Sequence, residues 1–237
     1  MSVIERSMRL LDVLATTGLP VSLSDLAAQA ELPLTTAHRL CAQLLEEGLI
    51  EHAADGGLLI GTRTWELGRR HARIEGTRLV AGKFLHDLHE VTRGTVELML
   101  LNGEDLLVIE RLSTDTRTRG DWLTLPERVP LHRSGAGPAI LAETAEERVK
   151  DLRRTMGHGA AEELDAAIRE ARVGGVVRRS DPVVEGRVTL AAAVRARGLV
   201  ECAVVLTVDG EQAAHVQAPA VLVTARRISA ALATGNE

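Results

Sequence analysis

The first 61 residues carry three apolar stripes at helical spacing, followed by two short apolar segments around a glycine-rich turn. Apolar residues three and four positions apart lie on one face of a helix, so each stripe predicts an amphipathic helix with one buried side. Residues 49–53 and 58–60 flank Asp55-Gly56-Gly57, which is typical of a β-hairpin. Three short helices and a hairpin in this order predict a winged helix-turn-helix domain over residues 1–61.

Each of the three helices is bounded by residues that favour helix ends. The first is expected from Val3 to Thr17, the second directly after Ser22, and the third from the break at residues 31–33 to Gly48. The third helix again carries a single apolar stripe. Its buried side is expected to consist of Ala37, Leu40, Cys41 and Leu44.

The opposite side of the third helix has side chains that can bind base edges in the major groove. Arginine can donate two hydrogen bonds to guanine, and threonine can contact a thymine methyl group. Serines at the start of the second helix would lie beside free backbone N–H groups, which bind phosphate. The predicted DNA contacts are therefore Ser22, Ser24, Thr35, Thr36, His38, Arg39 and, after the hairpin, Arg63.

The remaining residues predict a larger domain of mixed helices and strands. A charged stretch is predicted as a linker helix over residues 62–76, and the second domain as residues 77–237. Helices are expected at 79–91, 136–143, 145–156, 160–172 and 219–232, and strands at 96–101, 106–109, 190–194 and 202–208. The alternation predicts an α+β domain with helices packed on a largely antiparallel sheet.

The charge balance restricts how such a chain can bind nucleic acid. The net charge is −5, and residues 1–75 carry ten acidic side chains against seven arginines. Because affinity for DNA comes from clustered basic side chains, a single domain should bind weakly, which favours a homodimer or homotetramer on paired half-sites. The scarcity of aromatic residues, with no tyrosine, removes the stacking platforms used for single strands.

Composition also bears on location and on metal or redox chemistry. No apolar run reaches the roughly 20 residues that a membrane span needs, and the N-terminus resembles no export signal, so we expect a cytoplasmic protein without a membrane partner. Cys41 and Cys202 are expected to be buried thiols. His71, His86 and His89 are expected to be solvated, and neither a metal nor a cofactor is expected.

Two blocks of sequence resemble the IclR family of bacterial transcription regulators. The first resembles the N-terminal domain of the family and consists of residues 7–14, 23–27 and 32–40, followed by Glu47-Gly48-Leu49-Ile50 and Ile60-Gly61. The second, residues 130–142, resembles the loop and helix of the family's effector domain. The resemblance implies a GAF-like α/β effector-binding domain that binds a small metabolite and assembles as a dimer or tetramer.

A candidate effector site follows from the second block. The loop Ser134-Gly135-Ala136 runs into a predicted helix, whose free N–H groups and dipole favour an anion such as a carboxylate. Trp122 either walls this pocket or fills the core. The further pocket positions that the resemblance implies are Val129, Asp181, Thr189, Thr207 and Asp209.

Two other functions compete with DNA-binding regulation. The winged helix could be an interaction module that contacts protein instead of DNA. Alternatively, Ser134 and His132 could serve a hydrolase, but His132 stands where the Gly-x-Ser-x-Gly motif requires its first glycine. Because the chain also lacks nucleotide-binding and metalloprotease motifs, we expect a regulator and not an enzyme.

Overall fold

The computed structural model describes residues 1–103, 105–114, 127–131, 134–144, 146–154, 158–181, 184–196 and 199–234. They form two compact units, Met1–Glu75 and Gly76–Glu237. Two positions singled out from the sequence, Trp122 and His132, lie outside the described residues. Within the described part of the chain, no helix is both long enough and apolar enough to cross a membrane.

The first unit has the predicted order of three helices and a hairpin. Its elements are α1 (Val3–Thr17), α2 (Leu23–Gln29), α3 (Leu34–Glu46), β1 (Ile50–His52), β2 (Leu58–Ile60) and α4 (Thr62–Arg69). The strands β1 and β2 pair antiparallel. The helices bury one common core, which includes Leu10, Leu14, Leu26, Ala37, Leu40, Cys41, Leu44 and Ile50. The winged helix-turn-helix predicted from the sequence is therefore confirmed.

Local sequence explains where these helices begin and end. Ser2 and Glu5 form a reciprocal capping box at the start of α1, each side chain accepting from the other's backbone N–H. The Ser22 hydroxyl caps α2 by accepting from the Asp25 N–H at 3.2 Å. After α3, Gly48 has a φ of 68°, a left-handed conformation that glycine adopts without steric cost. The chain can therefore turn directly into the hairpin.

The stretch predicted as one linker helix over residues 62–76 is divided in the structure. The helix α4 ends at Arg69, and α5 (Ala72–Thr92) begins after a two-residue break. Gly76 lies inside α5, so the division between the two units falls within a helix. One glycine costs a helix only about 1 kcal/mol relative to alanine, which a helix of 21 residues tolerates.

The second unit is an antiparallel sheet with helices on both faces. After α5 its elements are β3 (Thr95–Asn102), β4 (Asp105–Leu112), β5 (Glu127–Pro130), α6 (Ala136–Leu141), α7 (Glu146–Arg154), α8 (His158–Gly174), β6 (Val177–Ser180), β7 (Arg187–Ala196), β8 (Leu199–Asp209) and α9 (Glu211–Thr234). Among the described residues, six strands are ordered β5-β4-β3-β8-β7-β6, and every pair is antiparallel. The predicted α+β class is confirmed.

The structure departs from the predicted elements at the sheet edges and in the last helix. The strands β5 and β6 were not predicted. Each has only four residues, several of them charged, so neither shows the alternation of apolar and polar residues by which a half-buried strand is recognised. The helix α9 begins at Glu211, eight positions before the predicted start at Pro219. Pro219 lies inside this helix, although proline has no backbone N–H to donate to the preceding turn. The residues before Pro219 are helical nevertheless, and Ala214 among them is fully buried.

The two faces of the sheet bury different partners. Met99, Ala191, Ala203 and Val205 alternate onto one face, where they join an apolar cluster. This cluster includes residues of α6 and α8, namely Ala136, Ala139, Ile140, Leu164 and Ile168. We call this side of the sheet the α6 face. The helix α9 packs on β7 and β8 from the opposite side.

Candidate functional site

The helix α3 presents a polar surface on the side opposite its buried stripe. Thr35, His38 and Arg39 are exposed, and Thr36 is half-buried. The stripe beneath them is at most 6 % exposed. The Arg39 guanidinium has no hydrogen bond or ion pair with any described residue, so it remains available to a partner. We call Thr35, Thr36, His38 and Arg39 the α3 surface.

Arg63 is engaged with the end of α3. Its Nη1 donates to the Glu47 carbonyl oxygen at 2.8 Å and to Glu47 Oε2 at 2.7 Å. These bonds satisfy a carbonyl at the C-terminus of the helix and tie α4 to it. Arg63 thus positions α4 against the end of α3, and its direct DNA contact stays a prediction.

The start of α2 also differs from a simple phosphate anchor. The Ser22 hydroxyl bonds to Asp25 Oδ2 at 2.6 Å and to the Ser24 hydroxyl at 3.0 Å, in addition to capping the helix. The Asp25 carboxylate lies in the first turn, where it interacts favourably with the helix dipole and repels a phosphate. Ser22, Ser24 and Asp25 are all exposed, so this small hydrogen-bonded group faces solvent at the start of the helix.

The hairpin adds no positive charge to this surface. Residues 50–60 contain no lysine or arginine, and the turn exposes Asp55. Asp55 Oδ1 accepts from the Gly57 N–H at 3.0 Å, which stabilises the turn. Electrostatic attraction to a phosphate backbone must therefore come from other parts of the molecule.

In the second unit, the fold brings part of the predicted effector site together on the α6 face. A Cβ placed on Gly135 would lie 3.7 Å from Thr189 Cγ2, so this loop approaches the sheet at Thr189. Thr207 is the β8 partner of Thr189, and their hydroxyl oxygens are 3.3 Å apart. Ser134, Gly135, Ala136, Thr189 and Thr207 thus form one cluster, although they come from three separate segments.

The loop before α6 is held tightly. The Ser134 hydroxyl accepts from the Gly137 N–H at 3.1 Å, as a capping side chain does. A Cβ on Gly137 would overlap the Leu131 carbonyl oxygen, so only glycine fits. The Ser134 hydroxyl oxygen therefore stabilises the start of α6.

The other predicted effector positions lie around this cluster. Val129 packs beside the apolar part of the α6 face. Asp181 Oδ1 accepts from the Val184 N–H at 2.9 Å and so closes its own turn. Asp209 Oδ1 accepts from Arg187 Nε at 3.2 Å, across the β7–β8 pair. None of these contacts joins Val129, Asp181 or Asp209 to Ser134, Gly135 or Ala136.

Charged residues that the sequence analysis missed also lie on the α6 face. Arg111 Nε donates to Glu97 Oε1 at 2.6 Å, and the two side chains are 14 % and 11 % exposed. Arg187 is buried at the end of β7. Strand alternation could have found them, since Glu97 is a single charge in the apolar run of β3 and directly opposes Arg111.

The histidine and cysteine predictions have mixed outcomes. His71 and His86 are exposed, but the prediction for His89 was wrong, because His89 is buried with Nδ1 2.8 Å from the Gly94 carbonyl oxygen. Cys41 and Cys202 are buried free thiols, as predicted, and burial raises the pKa of Cys41. No group of three or more potential metal ligands occurs among the residues described.

Family comparisons match both units of the chain. Residues 3–54 match the IclR helix-turn-helix domain. Residues 75–233 match the bacterial transcriptional regulator IclR C-terminal domain. The two matches leave only short segments of the chain uncovered.

Individual relatives agree with these matches. The transcriptional repressor IclR of Escherichia coli K12 is 28 % identical over 155 residues, which are 64 % of this chain and 56 % of that protein. The repressor AllR of the same strain is 30 % identical over 150 residues, 63 % of this chain and 55 % of that protein. The matched part thus spans only about half the length of these relatives.

The fold is shared with solved structures over nearly the whole chain. A crystal structure of an IclR homologue from Microbacterium hydrocarbonoxydans, in complex with 4-hydroxybenzoate, superposes with a TM-score of 0.85 at 24 % identity. The superposition covers 98 % of this chain and 99 % of that one. At this identity the likeness establishes the fold alone.

Proposed function

Because the chain belongs to the IclR family of bacterial transcription regulators, as both of its units show, we propose that it is a DNA-binding regulator whose operator affinity is changed by a small-molecule effector. Its family is one of regulators and not of enzymes. The observation that carries the DNA-binding part is the α3 surface. Arg39 and Thr35 are exposed there above a rigid buried stripe, in the arrangement that a recognition helix needs to enter the major groove.

The effector part of the proposal rests on the cluster of Ser134, Gly135, Ala136, Thr189 and Thr207. The loop approaches the sheet there at Gly135, beside the paired hydroxyls of Thr189 and Thr207. Such a concentration of polar groups beside an apolar cluster is typical of a small-molecule site. The Microbacterium homologue binds 4-hydroxybenzoate, which makes this compound a reasonable first candidate in a binding screen.

The experiment that tests DNA binding titrates the purified chain with duplex from the region upstream of its own coding sequence. We expect Arg39→Ala to weaken specific binding by about 10-fold or more, because a bidentate contact to guanine contributes about 1–3 kcal/mol. Arg39→Lys keeps the positive charge but cannot donate two parallel hydrogen bonds to guanine. This variant should therefore retain nonspecific affinity for DNA and lose sequence specificity. Affinity for the wild type should fall steeply as salt rises.

The matched control is Arg226→Ala, which removes the same charge from an exposed site on α9 in the other unit. It should leave duplex affinity within about twofold, because Arg226 is not part of the α3 surface. Equal losses in the two alanine variants would contradict recognition by α3. Binding that does not depend on salt, or no binding at low salt, would favour the alternative of a protein-interaction module.

A further inference from the structure

The turn between α2 and α3 contains a residue in a conformation that favours glycine. Glu31 has a φ of 55°, in the left-handed region, and its side chain is 80 % exposed. Glycine adopts this conformation without steric cost, whereas another residue keeps it only where the surrounding structure holds it there. The Glu31 N–H donates to the Ala28 carbonyl oxygen at 3.1 Å, so the turn is held by a backbone bond that needs no carboxylate.

The Glu31 carboxylate has one polar partner in the described part of the chain, the Arg9 side chain of α1. Arg9 Nη1 lies 3.2 Å from Glu31 Oε2, and the Arg9 side chain is 47 % exposed. The helix α1 packs against both α2 and α3, so the pair joins α1 to the turn before α3. An ion pair between two exposed side chains contributes little to stability, because both charges remain hydrated. Arg9 can therefore exchange Glu31 for another anion at little cost.

The turn that carries this pair lies at the edge of the groove when α3 occupies the major groove. In a bound helix-turn-helix, the helix before the turn crosses the phosphate backbone, and the first residues of the recognition helix contact base edges. The turn between the two helices therefore lies beside the backbone that borders the groove. Glu31 precedes Thr35 of the α3 surface by four positions, a span of at most about 14 Å. A guanidinium at this turn is thus within reach of a phosphate.

Two other arginines of the first unit are bonded to its backbone. Arg6, one turn earlier on α1, donates to carbonyl oxygens at the start of that helix. Arg63 donates to the Glu47 carbonyl oxygen at the end of α3. Arg9 differs from both, because its bond among the described residues is to an exposed carboxylate. Arg9 can therefore supply positive charge for the phosphate backbone, which the hairpin lacks.

We propose that Arg9 is a phosphate-binding residue of the DNA interface, and that Glu31 holds its guanidinium in the free protein and releases it to a backbone phosphate when α3 enters the groove. This assignment rests on the DNA-binding function proposed above. Glu31 lowers affinity for every duplex, because its carboxylate competes with the phosphate for Arg9 and repels the phosphate once the pair has separated. The pair thus sets the strength of binding, while the α3 surface sets its sequence preference.

The test measures the affinity of the full chain for the upstream duplex and for an unrelated duplex of equal length, between about 50 and 200 mM salt. Arg9→Ala should weaken binding to both duplexes by about threefold or more and leave their ratio unchanged. Its affinity should also depend less on salt, by about one phosphate contact per bound copy. Arg9→Lys should stay within about twofold of the wild type, since a phosphate accepts a point charge. Glu31→Gln should strengthen binding to both duplexes.

A double variant separates a phosphate contact from neutralisation of Glu31. If Arg9 binds phosphate, Arg9→Ala should weaken binding by about threefold or more in the Glu31→Gln background as well. If Arg9 only neutralises Glu31, the same change should have no effect once the carboxylate is gone. Thermal unfolding midpoints of all variants should stay close to that of the wild type, because exposed substitutions change stability little. A loss of affinity then reports the interface and not the fold.

The matched control is an exposed ion pair in the second unit, formed by Arg154 and Asp151 of α7 at 2.9 Å. Arg154→Ala and Asp151→Asn change the net charge by the same amounts as Arg9→Ala and Glu31→Gln. Neither control should change duplex affinity measurably, because neither residue belongs to α3 or to the turn before it.

Several outcomes would overturn this proposal and leave the proposed regulatory function standing. They are unchanged binding by Arg9→Ala, a loss confined to the upstream duplex, a loss that disappears in the Glu31→Gln background, weaker binding by Glu31→Gln, and an equal loss in Arg154→Ala. A wild type that binds neither duplex at any salt concentration would overturn both proposals.

Discussion

At the scale of single residues, burial and hydrogen bonding determine whether a side chain is available to a partner, and residue type alone does not. His89 and His86 are one turn apart on α5, yet His89 is buried against the Gly94 carbonyl and His86 is exposed. Arg39 and Arg63 both belong to the first unit. Arg63 is tied to Glu47, whereas the Arg39 guanidinium has no hydrogen bond or ion pair with any described residue. The same residue type therefore positions the helix in one place and projects from it in the other.

Cys41 provides a prediction at this scale. Its side chain is 3 % exposed, and desolvation raises the pKa of the thiol above the usual 9.0. The folded state therefore keeps a proton that the unfolded state loses at high pH, so the stabilisation is complete below the unfolded pKa and declines as pH rises above it. Urea unfolding should show a larger loss of stability between about pH 7.5 and 10 for the wild type than for Cys41→Ala. Equal losses would show that Cys41 does not contribute.

At the scale of elements, two helical glycines should respond in opposite ways to the same change. Gly137 in α6 faces the Leu131 carbonyl so closely that a Cβ would collide with it, whereas nothing lies within 4 Å of a Cβ on Gly82 in α5. Gly137→Ala should destabilise the second unit by about 2 kcal/mol or more, because the backbone must shift. Gly82→Ala should stabilise it by about 0.5–1 kcal/mol.

Denaturant unfolding of both variants, followed by circular dichroism, provides the measurement. Since both changes replace glycine by alanine within a helix, the pair separates the close approach at Leu131 from general helix propensity. If the two variants shifted stability in the same direction, the tight packing of the loop before α6 would be contradicted.

At the scale of the whole molecule, the charge balance predicts how the chain engages an operator. Ten acidic side chains and seven arginines in residues 1–75, with no lysine or arginine in the hairpin, leave a single unit with little attraction for phosphates. We therefore expect a homodimer or homotetramer that binds paired half-sites, separated by about 10 base pairs or a multiple of this.

Sedimentation of the free chain and binding to operator fragments check this prediction. A fragment with one half-site should bind about 100-fold or more weakly than one with both, because the second contact becomes intramolecular once the first has formed. A monomer in solution that binds single and paired half-sites equally would contradict it.

Most elements of this fold could be predicted from the sequence because their determinants are local. The helices α1 and α3 follow from stripes of period 3.6, and the hairpin follows from its turn residues. The strands β5 and β6 could not be predicted in this way. They lie at the two edges of the sheet and are short and charged, and they are strands because β4 and β7 offer them hydrogen bonds.

The sequence by itself determined the two-unit α+β architecture, the polar side of α3 and the membership of a regulator family. All three depend on the local periodicity of apolar residues and on motifs that are contiguous in the chain. Only the tertiary structure decided which distant side chains meet. The approach of Gly135 to Thr189, the Glu97–Arg111 pair and the Arg187–Asp209 pair depend on strand register and burial. These are set when the sheet assembles, because pairing between remote strands leaves no local trace in the chain.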